Sequence, residues 1–335
     1  MEKKIICFGC RAYELPYFEK LGKQYGYELI TRPEYLNNDN IELAYGYPIV
    51  MVRGNCNVDA AHMKELASRG LKYYLTRTAG YNHVDVKACK ELGIETAFVP
   101  GYSPNAISEL ALTLSLTLLR NVQYTADLAS KGRFKVTDRM FSKEIRDCTV
   151  GILGCGRIGR TTAGLYKGLG AKVIGYDVFV SPACNGLIDM KKTPDEVFEE
   201  ADVVVCHMAY VKGSNDKFIS KELIGKMKKN AILVNVARGE VMDNMAALEA
   251  VKEGRIAGLG LDVIDNEKAL FNHEFKEGKI DDPEHAIAVS LYPSVLITPH
   301  VGSATEHALI DMIEVSLQNM DEYFATGKCK NSLIK

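Results

Sequence analysis

Short apolar runs alternate with amphipathic stretches along most of the chain. In the first hundred residues the strand-like runs lie at 4–9, 27–30, 48–53, 71–75 and 94–99. Between them, residues 13–25, 59–68 and 84–92 place apolar side chains at helical spacing. Strands that alternate with helices predict a parallel sheet with helices on its faces.

A long helix separates this region from a second alternating region. Ser103 and Pro104 suit its start, and residues 106–119 are almost wholly apolar, which predicts burial between domains or in a subunit contact. Further strands are predicted at 148–153, 171–176, 201–206, 231–236, 256–261 and 295–298, with helices at 220–228, 244–253 and 306–325. Residues 269–293 lack clear periodicity and are predicted to form a long surface insertion.

Composition restricts the class of protein. The chain has 335 residues, 47% of them hydrophobic and 25% charged, with a net charge of −2. This predicts a two-domain globular protein without a nucleic-acid surface. The apolar runs are too short to span a bilayer, and no signal peptide is evident, so we expect a cytoplasmic protein.

The cysteine count fits a reducing compartment. Nine cysteines form no disulfide framework. Cys7 and Cys10 are formally a C-x-x-C pair, but Cys7 lies in a predicted strand, which favours packing over redox chemistry. No metal site is expected.

A glycine-rich loop follows the strand at 148–153. Its G-x-G-x-x-G residues open a helix, and Asp177 ends the next strand. Such glycines permit a tight turn, a close approach to a pyrophosphate and close helix packing, while the helix start binds the anion. Asp177 can accept hydrogen bonds from ribose hydroxyls and would repel a 2′-phosphate, so NAD is favoured over NADP. The loop residues predicted to bind it are Gly154, Gly156, Arg157, Ile158 and Gly159.

Reduction of a ketone with this cofactor also needs a proton donor, and an anionic substrate needs a cation. Arg238 follows the strand at 231–236 and can bind a carboxylate with two parallel hydrogen bonds. His300 follows the strand at 295–298, where ligands bind in α/β sheets, and its chemistry suits acid–base work. Glu267, Asp262 and Asp265 are rival carboxylate partners for His300, and residue spacing does not choose among them. His207 ends another strand and is interpreted as a cofactor-edge or structural residue.

The chain resembles the D-2-hydroxyacid dehydrogenases over essentially its full length. The resemblance is carried by the glycine loop and by residues 77–85, 102–109, 235–239, 260–263 and 298–300. It implies two Rossmann-like α/β domains with parallel sheets. The substrate domain is then discontinuous and flavodoxin-like (1–101 and 300–335), the NAD-binding domain is inserted at 102–299, and the protein is a homodimer.

The resemblance also implies roles for individual residues. Arg238 binds the substrate carboxylate and polarises the carbonyl, His300 is the acid–base, and Glu267 pairs with His300. The remaining implied contacts are made to the cofactor by His207, Val236, Ala237 and Asp262, and to the substrate by Ala79, Gly80 and Tyr102. The implied reaction is the reversible NADH-dependent reduction of a 2-oxo acid to the (R)-2-hydroxy acid.

The substrate is predicted from the first domain. Arg53 follows the strand at 48–53 and could bind a second carboxylate, as in 2-oxoglutarate, or could form a structural ion pair. Residues 53–56 and 141–144 resemble NAD-dependent (R)-2-hydroxyglutarate dehydrogenases in particular. The alternatives are a reductase of branched-chain or aryl 2-oxo acids, a D-lactate dehydrogenase, or an NAD-sensing corepressor-like protein.

Overall fold

The chain divides into two compact units. The computed structural model describes residues 3–265, 267–271, 273–276 and 280–334. One unit comprises Met1–Ser103 and Ser303–Lys335, and the other comprises Pro104–Gly302. The predicted boundaries lie two and three residues earlier, so Tyr102 and His300 each fall in the opposite unit from the one predicted. His300 belongs to the unit that contains the glycine loop, and its backbone N–H donates a hydrogen bond to the carbonyl of Asp262 in the same unit.

Each apolar run that was predicted to be a strand contains a strand in the structure. In the first unit they are β1 (Lys4–Cys7), β2 (Glu28–Thr31), β3 (Ile49–Val52), β4 (Tyr73–Thr76) and β5 (Glu95–Ala97). In the second unit they are β6 (Thr149–Leu153), β7 (Lys172–Tyr176), β8 (Asp189–Met190), β9 (Val203–Cys206), β10 (Ile232–Asn235), β11 (Gly258–Leu261) and β12 (Val295–Ile297).

Helices connect the strands. They are α1 (Leu15–Tyr25), α2 (Ala60–Ser68), α3 (Val86–Glu91), α4 (Pro104–Leu119), α5 (Val122–Ser130), α6 (Arg157–Gly168), α7 (Pro194–Glu200), α8 (Lys221–Lys226), α9 (Asn244–Lys252), α10 (Pro283–Ser290) and α11 (Glu306–Thr326). Single turns of 3-10 helix lie at Ala12–Glu14, Ile41–Ala44, Asp138–Met140, Ile145–Asp147, Pro182–Cys184, Gly239–Val241 and Glu267–Ala269.

Both sheets are parallel and have the topology of nucleotide-binding folds. Within the described residues, the first unit has strand order β2-β1-β3-β4-β5 and the second β12-β11-β10-β9-β6-β7-β8. The first order is that of flavodoxin, and the second is the doubly wound Rossmann order with a seventh strand. The predicted fold class is therefore confirmed. In the second sheet the order reverses between β6 and β9, and ligands bind at the carboxyl ends of strands beside such a reversal.

Each sheet has a separate apolar core on either face. Ile5 and Cys7 pack on one face of the first sheet with α11, whereas Ile6 and Phe8 pack on the other. This alternation follows from the two-residue repeat of a strand. All nine cysteines are free and buried, Cys7 and Cys10 included.

Helix α4 packs on the sheet of its own unit. A Cβ at Gly258 would lie 3.0 Å from Cδ2 of Leu118, and one at Gly260 would lie 3.2 Å from Cβ of Leu114. The glycines of β11 therefore let this apolar helix approach the sheet closely. The apolar character of α4 is accounted for by this packing, and a role in a subunit contact stays a prediction.

The prediction of a surface insertion at 269–293 is wrong at residues 283–290, which form α10. Asp282 caps this helix by accepting a hydrogen bond from the backbone N–H of His285 at 2.8 Å, and Pro283 occupies its first position. The start signal is present in the sequence. The helix is short and largely exposed, which is why no apolar periodicity marks it. Residues 272 and 277–279 of the predicted insertion lie outside the described residues.

Candidate active site

Each of six neighbouring strands in the second unit is followed, within six residues, by a residue predicted to be functional. The strands are all parallel, so their carboxyl ends share one edge of the sheet. Taken in spatial order from β12 to β7, the residues that follow are His300, Glu267, Arg238, His207, Gly154 and Asp177. Residues far apart in the chain are thus placed along one edge.

The glycine loop between β6 and α6 is shaped by close backbone contacts. Gly154 has φ 85°, and a Cβ there would lie 2.7 Å from the backbone N of Met208. A Cβ at Gly159 would lie 2.1 Å from the carbonyl oxygen of Gly154. By contrast, a Cβ at Gly156 would meet no atom within 4 Å. Gly154 and Gly159 are required by the fold, whereas Gly156 leaves open space at the start of α6, as a bound pyrophosphate needs.

Asp177 closes this loop. Its Oδ2 accepts a hydrogen bond from the backbone N–H of Cys155 at 2.7 Å, and its Oδ1 accepts one from Phe179 at 3.0 Å. Each carboxylate oxygen retains a further lone pair, so the group can still accept hydrogen bonds from ribose hydroxyls. The loop and this acid fit NAD.

His207 is held in one tautomer by a chain of hydroxyl groups. Ser108 Oγ donates to the carbonyl of Ile158 at 3.3 Å, and Thr162 Oγ1 donates to Ser108 at 2.8 Å. Because the single hydroxyl proton of Thr162 is donated to Ser108, Thr162 can only accept from His207. Nε2 of His207, 2.8 Å from Thr162 Oγ1, is therefore the donor. Burial lowers the pKa of His207 to about 3, so the ring is neutral and its Nδ1 is an acceptor. That Nδ1 is buried without a partner among the described residues.

His300 and Glu267 form a hydrogen-bonded pair. Nδ1 of His300 lies 2.9 Å from Oε1 of Glu267. Of the three carboxylates that residue spacing left open, Glu267 is the one in contact with the ring. His300 also has φ 52°, a left-handed backbone that is uncommon for a side chain other than glycine. A strained backbone at a residue whose side chain can act as an acid or a base is a marker of a functional site.

Asp262 holds the His300 segment in place. Its Oδ1 accepts hydrogen bonds from Thr298 Oγ1 at 2.6 Å and from the backbone of Val301 at 2.8 Å, and its Oδ2 accepts one from Gly302 at 2.8 Å. Burial raises the pKa of the Asp262 carboxyl, and these hydrogen bonds act in the opposite direction. The sequence did not reveal these hydrogen bonds, and the predicted contact of Asp262 with the cofactor stays a prediction.

Arg238 is placed by the side chain of Asn235. Oδ1 of Asn235 accepts from the N–H of Ala237 at 3.0 Å, and its Nδ2 donates to the carbonyl of Arg238 at 2.9 Å. A Cβ at Gly239 would lie 2.1 Å from the carbonyl carbon of Ile264, so the turn packs directly on the chain leading to Glu267. Asn235 is fully buried and was missed as a functional residue. Its signal was a polar residue that ends an apolar strand.

In the first unit, the loop after β4 presents free backbone donors. The amide N–H groups of Ala79, Gly80 and Tyr81 donate to no other residue in the part of the chain that the structure describes. Successive unpaired amides can bind an anion. The family resemblance implied that the backbone at Ala79 and Gly80 receives the substrate carboxylate. Tyr81 adds a third donor, which only the backbone geometry reveals.

Arg53 forms an ion pair. Its Nη1 lies 2.7 Å from Oε1 of Glu14, while Nη2 of Arg77 lies 3.2 Å from Oε2 of the same carboxylate. Arg77 and Glu14 are 0% and 2% exposed, and Arg53 retains 17% exposure. Two guanidinium groups therefore share one carboxylate. Tyr102, the last predicted substrate residue, is half-buried in this unit, and its contact with substrate stays a prediction.

These features define an NAD-binding α/β protein with a histidine–carboxylate pair and an arginine at adjacent strand ends. Residues 112–302 match the family model described as D-isomer specific 2-hydroxyacid dehydrogenase, NAD binding domain. The chain is 35% identical over 332 residues to an aromatic 2-oxoacid reductase of Clostridium sporogenes, covering 99% of each protein. It is 34% identical to a D-lactate dehydrogenase of Lactiplantibacillus plantarum, covering 97% of each.

A solved structure shares the fold. The NAD-complexed D-isomer specific 2-hydroxyacid dehydrogenase of Lactobacillus delbrueckii ssp. bulgaricus matches with a TM-score of 0.86 at 30% identity, covering 98% of this chain and 99% of that one. The chain belongs to the D-isomer specific 2-hydroxyacid dehydrogenases. It is an NAD-dependent oxidoreductase that reduces 2-oxo acids to D-2-hydroxy acids.

Among the described residues, no helix combines the length and apolar character needed to cross a membrane.

Proposed function

We propose that the chain reduces 2-oxoglutarate to (R)-2-hydroxyglutarate. NADH, when bound, supplies the hydride that reduces C2 of the 2-oxo acid. His300 then delivers a proton to the carbonyl oxygen from Nε2, because Glu267 occupies Nδ1 and fixes the ring. The Glu267 carboxylate stabilises the charged imidazolium before this transfer.

The other residues bind and orient. In the second unit, Arg238 binds the substrate carboxylate and polarises the carbonyl. In the first unit, the free amides of Ala79 and Gly80 are a receptor for a carboxylate. The cofactor is held by the glycine loop and by Asp177, with further contacts from His207, Val236, Ala237 and Asp262. Tyr102 contacts the substrate. Two protomers form a homodimer.

The proposal of 2-oxoglutarate as the substrate rests on the charge around Arg53. Arg53 follows β3 and Arg77 follows β4, so both lie at the edge of the sheet where the Ala79–Gly80 loop begins. Arg53, Arg77 and Glu14 together have a net charge of +1 when all are ionised. The second carboxylate of 2-oxoglutarate would balance that charge, and Arg53, the only partly exposed member of the three, would contact it.

Reduction of an aromatic 2-oxo acid is the second candidate. The 35% identity to an aromatic 2-oxoacid reductase over 99% of both chains favours it. The ion pair with Glu14 also favours it, since an Arg53 engaged in the fold is less available to a substrate. In that case Arg53 is structural, and the side chain of the substrate is uncharged.

A substrate panel with matched arginine variants separates the two. We expect the wild type to oxidise NADH with a higher kcat/KM for 2-oxoglutarate than for phenylpyruvate, 2-oxoisocaproate or pyruvate. Arg53→Met should raise KM for 2-oxoglutarate by about tenfold to a hundredfold, the range of hydrogen bonds to charged groups, and leave the others within about twofold. Arg53→Lys should recover part of the loss, and Arg32→Met, at an exposed arginine of the same unit, is the control. Equal effects of Arg53→Met on all acids, or a wild-type preference for phenylpyruvate, would replace the first candidate with the second.

A further inference from the structure

In the first unit, three side chains form a line of hydrogen bonds that ends at the loop with the free amides. Nε2 of His83 lies 2.9 Å from Oγ1 of Thr76, and Oγ1 of Thr76 lies 2.8 Å from Oγ1 of Thr78. Oγ1 of Thr78 in turn donates to the carbonyl oxygen of Gly80 at 2.8 Å. The line therefore begins at an imidazole and ends at the backbone of the predicted carboxylate receptor.

The direction of each hydrogen bond in this line is fixed by proton counting. A carbonyl oxygen only accepts, so Thr78 gives its single hydroxyl proton to Gly80. Thr76 must then donate to Thr78, which leaves Thr76 only as an acceptor toward His83. Nε2 of His83 is accordingly the donor, and the ring carries a proton on Nε2.

The line fixes the peptide group between Gly80 and Tyr81. In a planar trans peptide the N–H points away from the preceding C=O. Because Thr78 binds the Gly80 carbonyl from one side, the Tyr81 N–H faces the other side, where no described residue accepts it. The loop is also held at Val84, whose N–H donates to the Tyr81 carbonyl at 2.9 Å.

The residue types suit this task. Thr76 and Thr78 lie two positions apart and share one side of the extended chain, while Arg77 between them turns to Glu14. Thr76 is completely buried, so its hydroxyl depends on these partners. We propose that His83 is a positioning residue that, through Thr76 and Thr78, orients the Gly80–Tyr81 peptide to bind the carboxylate of the 2-oxo acid. This inference rests on the proposed role of the Ala79–Gly80 loop in binding substrate.

The tautomer of His83 is the direct test, and it needs no activity. Nitrogen-15 NMR of histidine-labelled wild-type protein distinguishes the two ring tautomers, and a His83→Gln variant assigns the signal among the seven histidines. A proton on Nε2 supports the proposal. A neutral ring protonated on Nδ1 overturns it, because Thr76 would then have no donor.

Kinetics tests the consequence for substrate binding. Thr76→Val removes the hydroxyl at nearly constant shape, and we expect KM for the 2-oxo acid to rise about fivefold to tenfold with kcat within twofold. The dissociation constant of NADH should not change, and Thr76→Ser should restore KM. The matched control is Thr96→Val, since Thr96 is also buried in this sheet but donates to the Tyr74 carbonyl outside the line. Equal KM changes in the Thr76→Val and Thr96→Val variants would overturn the proposal.

These assays use whichever 2-oxo acid the wild type reduces best. If 2-oxoglutarate is not the substrate, the proposed role of His83 can therefore still be tested. If Thr76→Val does not fold, the NMR measurement on the wild type still decides.

Discussion

Nδ1 of His300 lies 2.9 Å from Oε1 of Glu267, although thirty-three residues separate them in the chain. The two residues follow adjacent parallel strands, so the sheet brings them together. An ionised carboxylate only accepts hydrogen bonds, which makes Nδ1 the donor and leaves Nε2 as the nitrogen that the proposed proton transfer would use. This relationship fixes both the tautomer and the direction of the ring.

Replacing Glu267 tests the importance of its charge. Glutamine in a Glu267→Gln variant can still accept from Nδ1, but it does not stabilise an imidazolium. We expect kcat for 2-oxo acid reduction to fall about tenfold to a hundredfold while KM changes little, and His300→Gln to lose about a hundredfold or more, the range of general acid–base catalysis. Steady-state NADH oxidation measures both. Glu253→Gln, at an exposed glutamate of the same unit, is the control, and a Glu267→Gln enzyme with wild-type kcat would refute the role.

Asp177 should set the preference for NADH over NADPH. Its carboxylate organises the glycine loop through Cys155 and would repel a 2′-phosphate. We expect Asp177→Ala to weaken NADH binding about tenfold, as for loss of charged hydrogen bonds, and to narrow the gap in affinity between the two cofactors. Fluorescence titration with each cofactor measures this. Asp189→Ala on β8, where the carboxylate pairs with Lys191, should bind as the wild type does. An unchanged NADH/NADPH ratio in the Asp177 variant would count against this assignment.

The sequence predicted the position of a candidate residue best where that residue follows the end of a strand. Runs such as 201–206 and 231–236 are apolar because their strands are buried on both faces, and the residue after each run is therefore placed at the edge of the sheet. The position of His300 followed from this rule, and its partner Glu267 was supplied by the family resemblance rather than by spacing.

Contacts between distant residues could not be predicted in the same way. Glu14 lies in a single 3-10 turn and nothing local indicates that it is buried, since its partners Arg53 and Arg77 are thirty-nine and sixty-three residues away. The hydrogen bonds of Asp262 and the hydroxyl lines at His83 and His207 are likewise formed by side chains whose contacts depend on the assembled backbone. Local pattern specifies elements, whereas these networks depend on how elements pack.

Glu284 should make the stability of the protein fall as pH rises. Burial raises the pKa of its carboxyl from 4.5 to about 7, with further contributions from Asp265 and Asp282. The unfolded chain releases this proton near its ordinary pKa, while the folded chain retains it up to about pH 7. The folded state thus binds more protons between these values, so the free energy of unfolding decreases with pH across this window and the full penalty is present above it.

A Glu284→Gln variant removes this penalty. Oε1 of Glu284 is buried without a hydrogen-bond partner in the described part of the chain, so an uncharged amide suits the position better than a carboxylate at high pH. We expect the variant to be more stable than the wild type by about 1 kcal/mol at pH 8, a value reduced for the partial exposure of the group, and to differ little at pH 5. Urea unfolding at the two pH values measures the difference, with Glu253→Gln as the control. A gain of equal size at both pH values would show that the effect comes from packing and not from the titration of Glu284.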